Sequence, residues 1–461
     1  GANNAVTGHS SVTYTGNGTD NHRISGLPFT PDLIWGKKRS AAGSHFLLDS
    51  VRGVNSTLSS DTTGAEDTTA DIFRGFDKDG FILGSNGQSN SSGVTYIAWA
   101  WDAGDGDPVS NTAGSITSTV KASTTNGFSI VSWQATNAAG TLGHGLSQAP
   151  NFILVKDRQG TTNWTVYHSS LGSTKALLLN TTDSQQTNTN YWNDTDPTST
   201  TFSVNFYSNY LSDNHIAYCF HDVTGKQKFG SYTGTGASGN TVTTGFRPGF
   251  LMVKRDGFSH WEIHDGSRDP FANPSTKLLN ANQSNAEDDN ANGSFEFTDT
   301  GFIVQTSHEE RNFNGDTFIY AAFAGSYSDY ITDYNTDGSI DSRVKASDTT
   351  GFSIVSYTGT GANATVGHGL DSAPEMVILK HRNSVNGHDW SVYHADIGNT
   401  ALIKLNTTGT PVTTILAWNN TSPTSSVFSL GSGGAVNESG TNFIAYCWAE
   451  KTGYSKFGSY T

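Results

Sequence analysis

The sequence predicts an all-β protein of four tandem jelly-roll-like β-sandwiches, and three observations carry that prediction. Among 461 residues there are 51 glycines and 11% aromatics. The short apolar runs are separated by Gly/Asn/Asp/Ser clusters, as in a chain of many strands and turns. No stretch sustains helical periodicity over the length of an ordinary helix. Finally, an ordered set of phrases recurs four times, the mark of internal repetition.

The first phrase is Pro, any residue, four mostly apolar residues and Lys. It reads PDLIWGK (Pro31–Lys37), PNFILVK (Pro150–Lys156), PGFLMVK (Pro248–Lys254) and PEMVILK (Pro374–Lys380). A second strand follows each: HFLLD from His45, WTVYH from Trp164, WEIHD from Trp261 and WSVYH from Trp390. Three repeats then stop on a Leu-rich phrase ending in Asn180, Asn280 or Asn406. All four close on an aromatic strand, YIAWAW, HIAYCF, FIYAAF or FIAYCW, the last ending at Trp448. Continuous apolar runs suit strands in the middle of a sheet, whereas the alternation in FSIVSW (Phe128–Trp133) suits a half-buried one. Two packed antiparallel sheets per repeat are the simplest architecture. The expected domains are 1–107, 108–227, 228–330 and 331–461.

The repeats are of two kinds. The second and fourth share GHGL (at Gly143 and Gly367) and the related phrases WNDTDPTS (from Trp192) and WNNTSPTS (from Trp418). The first and third share an acid and an arginine three residues apart, Asp49 with Arg52 and Asp265 with Arg268. Naming these kinds A and B makes the order B-A-B-A. The phrase KFGSYT fits this order: at Lys228–Thr233 it is the first strand of the third repeat. Its recurrence at Lys456–Thr461 is expected either to mark a cut at a repeat boundary or to close the fourth repeat.

Net charge is −15. Such a chain is repelled by phosphate backbones and anionic bilayers, which argues against nucleic acid as a partner. No apolar run is long enough to insert in a membrane as a helix. The two cysteines, Cys219 and Cys447, lie in matching strands where the other repeats carry Ala100 and Ala322. Both are expected to be buried and unbridged.

Four segments carry a resemblance: GFSIVSYTGTGANATVGHGL, SAPEMVILK, WNNTSPTSSVFSLG and NFIAYCWAEKTGYSKFGSYT, all from the fourth repeat. They resemble repeats of tail-fibre and virion-surface proteins predicted for marine bacteriophages, which are grouped with concanavalin-A-like lectin/glucanase sandwiches. The resemblance covers essentially the whole chain from about Ser11. It implies a phage or phage-derived surface protein with lectin-like domains, and brings no catalytic residues with it.

Several constellations have residue types that could carry chemistry. The paired carboxylates of a glycosidase, at strand spacing and on one face, are absent. Asp333, Asn335, Asp337 and Asp341 place oxygen donors at the spacing of a calcium loop. The equivalent stretch of the second repeat, Val109 to Thr117, lacks the three acids, which favours a polar turn; calcium is the one cofactor the sequence suggests. The matched histidines, His144 with His368 and His168 with His394, read as structural. So do the Asp–Arg pairs, as salt bridges pinning a loop. The remaining candidates are Tyr191, Trp192 and Asn193, with Trp418 and Asn419. An aromatic plate beside an amide is what a glycan site needs. The alternative is a Trp that covers the end of its own sandwich.

The expected function is non-enzymatic adhesion at a virion surface or tail fibre, outside the cell. The partners would be host-surface glycans and other virion proteins, with avidity from repeats and from a homo-oligomer. A structural spacer or capsid-decoration protein is the alternative, and a polysaccharide depolymerase ranks third.

Overall fold

A computed structural model describes residues 8–54, 56–68, 71–268, 274–289, 294–325, 333–382 and 388–460. The protein is all-β, and its sheets are antiparallel and arranged as sandwiches. It divides into two compact units, Gly1–Tyr330 and Ile331–Thr461.

One strand order recurs in each main sheet: opening, closing, Pro-led, second. The opening strands are His9–Thr15, Phe128–Gln134, Gln227–Thr233 and Phe352–Thr358. The closing strands are Thr95–Trp101, Asn214–Phe220, Thr317–Ala324 and Asn442–Trp448. The Pro-led strands are Leu33–Lys38, Phe152–Asp157, Pro248–Arg255 and Met376–His381, and the second strands are Phe46–Asp49, Thr165–His168, Glu262–Asp265 and Ser391–His394. Each closing strand pairs on both sides, with the opening and the Pro-led strand. That central position is why it is aromatic-rich and lacks polar alternation. A smaller sheet forms the other layer. It has three strands in the first and third repeats and two in the second and fourth.

KFGSYT adopts two conformations. Lys228–Thr233 lies in an opening strand paired with Thr317–Ala322, whereas Lys456–Tyr460 forms no strand and is not paired to the fourth repeat's closing strand. The two thiols are free and buried, and burial pushes that of Cys447 up to about 12.

The sequence treats each repeat as a body with its own core. The first three repeats have such cores between their two sheets, and in addition the outer faces of their main sheets pack against one another. One apolar core runs through all three, from Leu33 and Trp99 through Ile130 and Tyr218 to Phe250 and Phe323. At its centre the final aromatics of the closing strands meet. Ring centroids of Trp101, Phe220 and Phe323 are 6.2, 5.5 and 5.5 Å apart, in a triangle of edge-on contacts. The residual space beside them is about 10 Å³, room for one water at most.

The polar contacts around this core are cyclic. Trp164 Nε1 donates to Ser59 O at 2.9 Å, and Trp261 Nε1 donates to Leu178 O at 2.9 Å. His45 completes the set: its Nδ1 accepts from Trp35, so Nε2 donates to Asn280 O at 3.0 Å. Repeat two therefore leans on one, three on two, and one on three. A second cycle runs the same way round. Tyr218 Oη donates to Asp49 at 2.7 Å, Trp99 Nε1 donates to Asp265 at 2.9 Å, and Tyr320 O accepts from His168 Nε2 at 3.2 Å. The three sandwiches form a closed pseudo-threefold ring of head-to-tail contacts.

Burial also sets an acid sensitivity. The imidazoles of His9, His144 and His168 are pushed down to about 4 from an ordinary 6.5 by desolvation. Below that ordinary value the unfolded chain binds protons that the folded one refuses, so stability falls as pH drops from about 6.5 to about 4. The buried amines of Lys37, Lys156 and Lys254 are held down at about 8, 8 and 7. They act in the same direction, since stability then rises with pH above about 7. Urea midpoints measured from pH 4 to 8 should climb throughout; a flat profile below pH 6.5 would mean that these rings are not held neutral.

Candidate functional site

The structure encloses the two tryptophans that the sequence offers as stacking plates. Trp192 and Trp418 are each 2% exposed, so neither can present a face to a sugar. Each packs inside its own sandwich, edge-on to Tyr167 at 5.7 Å or Tyr393 at 5.8 Å. The Trp418 indole donates to Ala401 O at 3.0 Å. Asn193 and Asn419 have an equally local duty. They end the one-turn helices Thr189–Trp192 and Ile415–Trp418 in the left-handed conformation, with φ of 52° and 50°. Asn tolerates that region better than other residues with a Cβ. The repeated Trp-Asn pair is thus a core side chain followed by a helix cap.

The stretch from Asp333 to Asp341, offered as a polar turn or a calcium loop, makes a turn. Asn335 Oδ1 accepts the Asp337 backbone N–H at 2.9 Å, while its Nδ2 reaches the Asp337 carboxylate at 3.2 Å. In the second repeat, Asn111 makes the same turn by accepting from Ala113 N–H at 2.9 Å, although the acids are missing there. Asn335 is therefore fold chemistry. The side chain of Asp333 lies outside the described residues. Among those described, His381, His388 and Glu438 are the group of metal-ligand type that lies close together. The two imidazoles stack at 4.4 Å with 26° between planes. In-plane lone pairs of nearly parallel rings do not converge on one ion.

The matched histidines are structural. His144 and His368 each accept from the backbone two residues on, from Leu146 and Leu370, and meet Thr198 O and Thr424 O at 3.1 and 3.0 Å. Asp49–Arg52 and Asp265–Arg268 are fully buried ion pairs.

Tyr191 is the sequence candidate that borders a cavity. A cleft of about 480 Å³ opens beside it, lined by Tyr191, Phe206, Tyr207 and Tyr210, with Asn163, Asp183, Gln186 and threonines 63, 161 and 162. That size falls within the range of small-ligand sites, about 300–1,000 Å³. Phe206 and Tyr207 are 37% and 46% exposed, and their rings lie 5.5 Å apart, edge to face. Tyr191 itself is nearly buried; its hydroxyl donates to Gln186 Oε1 at 2.7 Å and its ring leans on Tyr207 at 5.1 Å.

The aromatic wall is built on a fixed turn. Asn205 caps the 3-10 turn Phe206–Ser208, accepting from Phe206 N–H at 2.8 Å, and Ser208 Oγ donates to Tyr191 O at 2.5 Å. Asn209 anchors the far end, accepting from the Trp133 indole at 3.0 Å and donating to Ala138 O at 2.7 Å. Beyond it, Leu211 and Ser212 take φ of 55° and 58°, a strained conformation for residues other than Gly or Asn. The rings are therefore displayed by a braced loop.

Phe206, Tyr207 and Tyr210 escape a search for residues shared between repeats. In the fourth repeat the matching stretch is Leu430-Gly431-Ser432-Gly433, with no aromatic ring. The available signal is NFYSNY (Asn205–Tyr210), three aromatics among turn-forming residues where the sister repeat has glycines.

No curated protein and no solved structure matches the chain. A family model does, over residues 7–326 and again over 330–461. The chain belongs to the family of the domain of unknown function DUF7483.

Proposed function

We propose that the protein is a non-enzymatic adhesion module that holds host-surface glycans in the cleft of its second repeat. One observation carries the reading: half-exposed Phe206 and Tyr207 line a cleft together with Asn163, Asp183 and Gln186. Aromatic rings cover the apolar face of a sugar, and amide and carboxylate groups take its hydroxyls. Asp183 is the one carboxylate among the described residues lining the cleft. Glycoside hydrolysis uses two, so binding without turnover fits better than depolymerisation. Placement on a phage virion surface or tail fibre, outside the cell and among other virion proteins, draws on the resemblance of the repeats.

The enclosed Trp192 and Trp418 favour a second reading, a structural spacer or decoration protein, because both tryptophan plates are lost as sugar contacts. A glycan array separates the readings. The wild-type chain should retain a subset of glycans, and Tyr207→Ala should weaken that retention at least tenfold with melting shifted by less than about 2 °C, as for an exposed residue. Retention unchanged by Tyr207→Ala would remove the cleft from the function, and no retention by either form would leave the spacer.

A further inference from the structure

We propose that the second unit, Ile331–Thr461, assembles with the second units of two further copies of this chain into a threefold ring built like the one inside the first unit. The inference does not depend on glycan binding.

The second unit has the main sheet of the second repeat, but among the described residues nothing in the unit covers its outer face. Phe128, Ile130, Leu154, Ile216, Tyr218 and Phe220 of the second repeat are at most 3% exposed and lie in the shared core. Their counterparts Phe352, Ile354, Ile378, Ile444, Tyr446 and Trp448 are all partly open to solvent. Leu179 is 0% exposed and its counterpart Leu405 is 58% exposed. A sheet face that meets water normally alternates to polar side chains. Here the apolar residue is kept position by position across three neighbouring strands, and a contiguous apolar patch open to water marks an interaction site.

The polar groups point to the same kind of partner. In the first unit, Tyr218 Oη, Trp164 Nε1 and His168 Nε2 each bond across to a neighbouring sandwich. Tyr446, Trp390 and His394 repeat these side chains, and the intramolecular bonds that orient them are kept. Trp390 N–H donates to Asn406 at 3.0 Å, as Trp164 does to Asn180 at 2.9 Å. His394 Nδ1 accepts from Asp396 N–H at 3.2 Å, as His168 does from Ser170 at 3.1 Å. What they lack, among the described residues, is the partner across the gap. A copy of the same unit supplies it, because Tyr446 and His394 stand on the two sides of the cycle; with Nδ1 accepting from Asp396 N–H, His394 Nε2 carries the proton and can donate to the Tyr446 hydroxyl oxygen of the next copy. Around the axis, three Trp448 rings would take the places of Trp101, Phe220 and Phe323.

One rim contact does not carry over. Gln185 N–H donates to Asp256 O at 2.7 Å in the first unit, and Pro411 stands at the position of Gln185 with no N–H to give. The ring is therefore held by its apolar centre and the Tyr, Trp and His contacts rather than by that rim bond.

The test is the mass of the full chain in solution by sedimentation equilibrium at micromolar concentration. Three chain masses are expected. Ile444→Lys, which places a charge on the face, should give one chain mass, with circular dichroism showing its strands intact. Trp448→Ala should raise the concentration for half-assembly at least tenfold. Leu416→Lys should remain at three, since the matching Asn190 lies outside the shared core. A wild-type mass of one chain overturns the proposal. So does a mass of two, which would mean that two faces stack directly, or a threefold assembly that both Ile444→Lys and Trp448→Ala leave unchanged.

Discussion

Asp49→Ala is expected to destabilise the first unit by about 3–5 kcal/mol, the cost of stranding a buried charge. Asp49 and Arg52 are both wholly enclosed. Arg52 also reaches Glu66 at 2.8 Å and Leu47 O at 2.9 Å, and Tyr218 of the second repeat donates to Asp49 at 2.7 Å. Removing the carboxylate leaves a guanidinium short of its partner and a buried phenol without an acceptor. The loss falls on the contact between two repeats, so the shared core should unfold earlier as one body. Differential scanning calorimetry should show one transition displaced and the other in place. A displacement within about 2 °C would mean that the pair is solvated and the ring looser than described.

Trp418→Ala should cost about 3–5 kcal/mol in the second unit, as a truncation in a closed core. The ring packs with Tyr393, Phe428 and Leu430, and its indole N–H bonds a backbone carbonyl that would lose its donor. The other transition should move here. Glycan retention should be untouched, because the cleft lies wholly in the first unit. A fall in retention with unchanged melting would restore Trp418 as a contact residue and contradict its enclosure. Paired with Tyr207→Ala, the variant separates a residue that holds the fold from one that meets a ligand.

The strands were legible because each repeat restates them. Four Pro-led phrases and four aromatic closing strands identify the middle of four sheets, and apolar residues at consecutive positions announce burial on both faces. What covers the outer face was not legible, since no local pattern says that Trp101, Phe220 and Phe323 meet at an axis. That closure depends on three repeats curling into a ring. Repetition also misdirected the choice of site. Trp192-Asn193 and Trp418-Asn419 recur because every A-type sandwich needs a core ring and a left-handed cap. The cleft depends on Phe206 and Tyr207, which the sister repeat replaces with Ser432 and Gly433. In a repeat array, shared residues report the fold first, and a departure such as NFYSNY is the better pointer to a ligand.

The most direct measurement is a crystal structure of the chain soaked with an oligosaccharide retained on the array. Sugar density is expected against the rings of Phe206 and Tyr207, with hydroxyls within hydrogen-bond reach of Asn163, Asp183 or Gln186. Sugar density on any other surface, with this cleft holding only water, would contradict this.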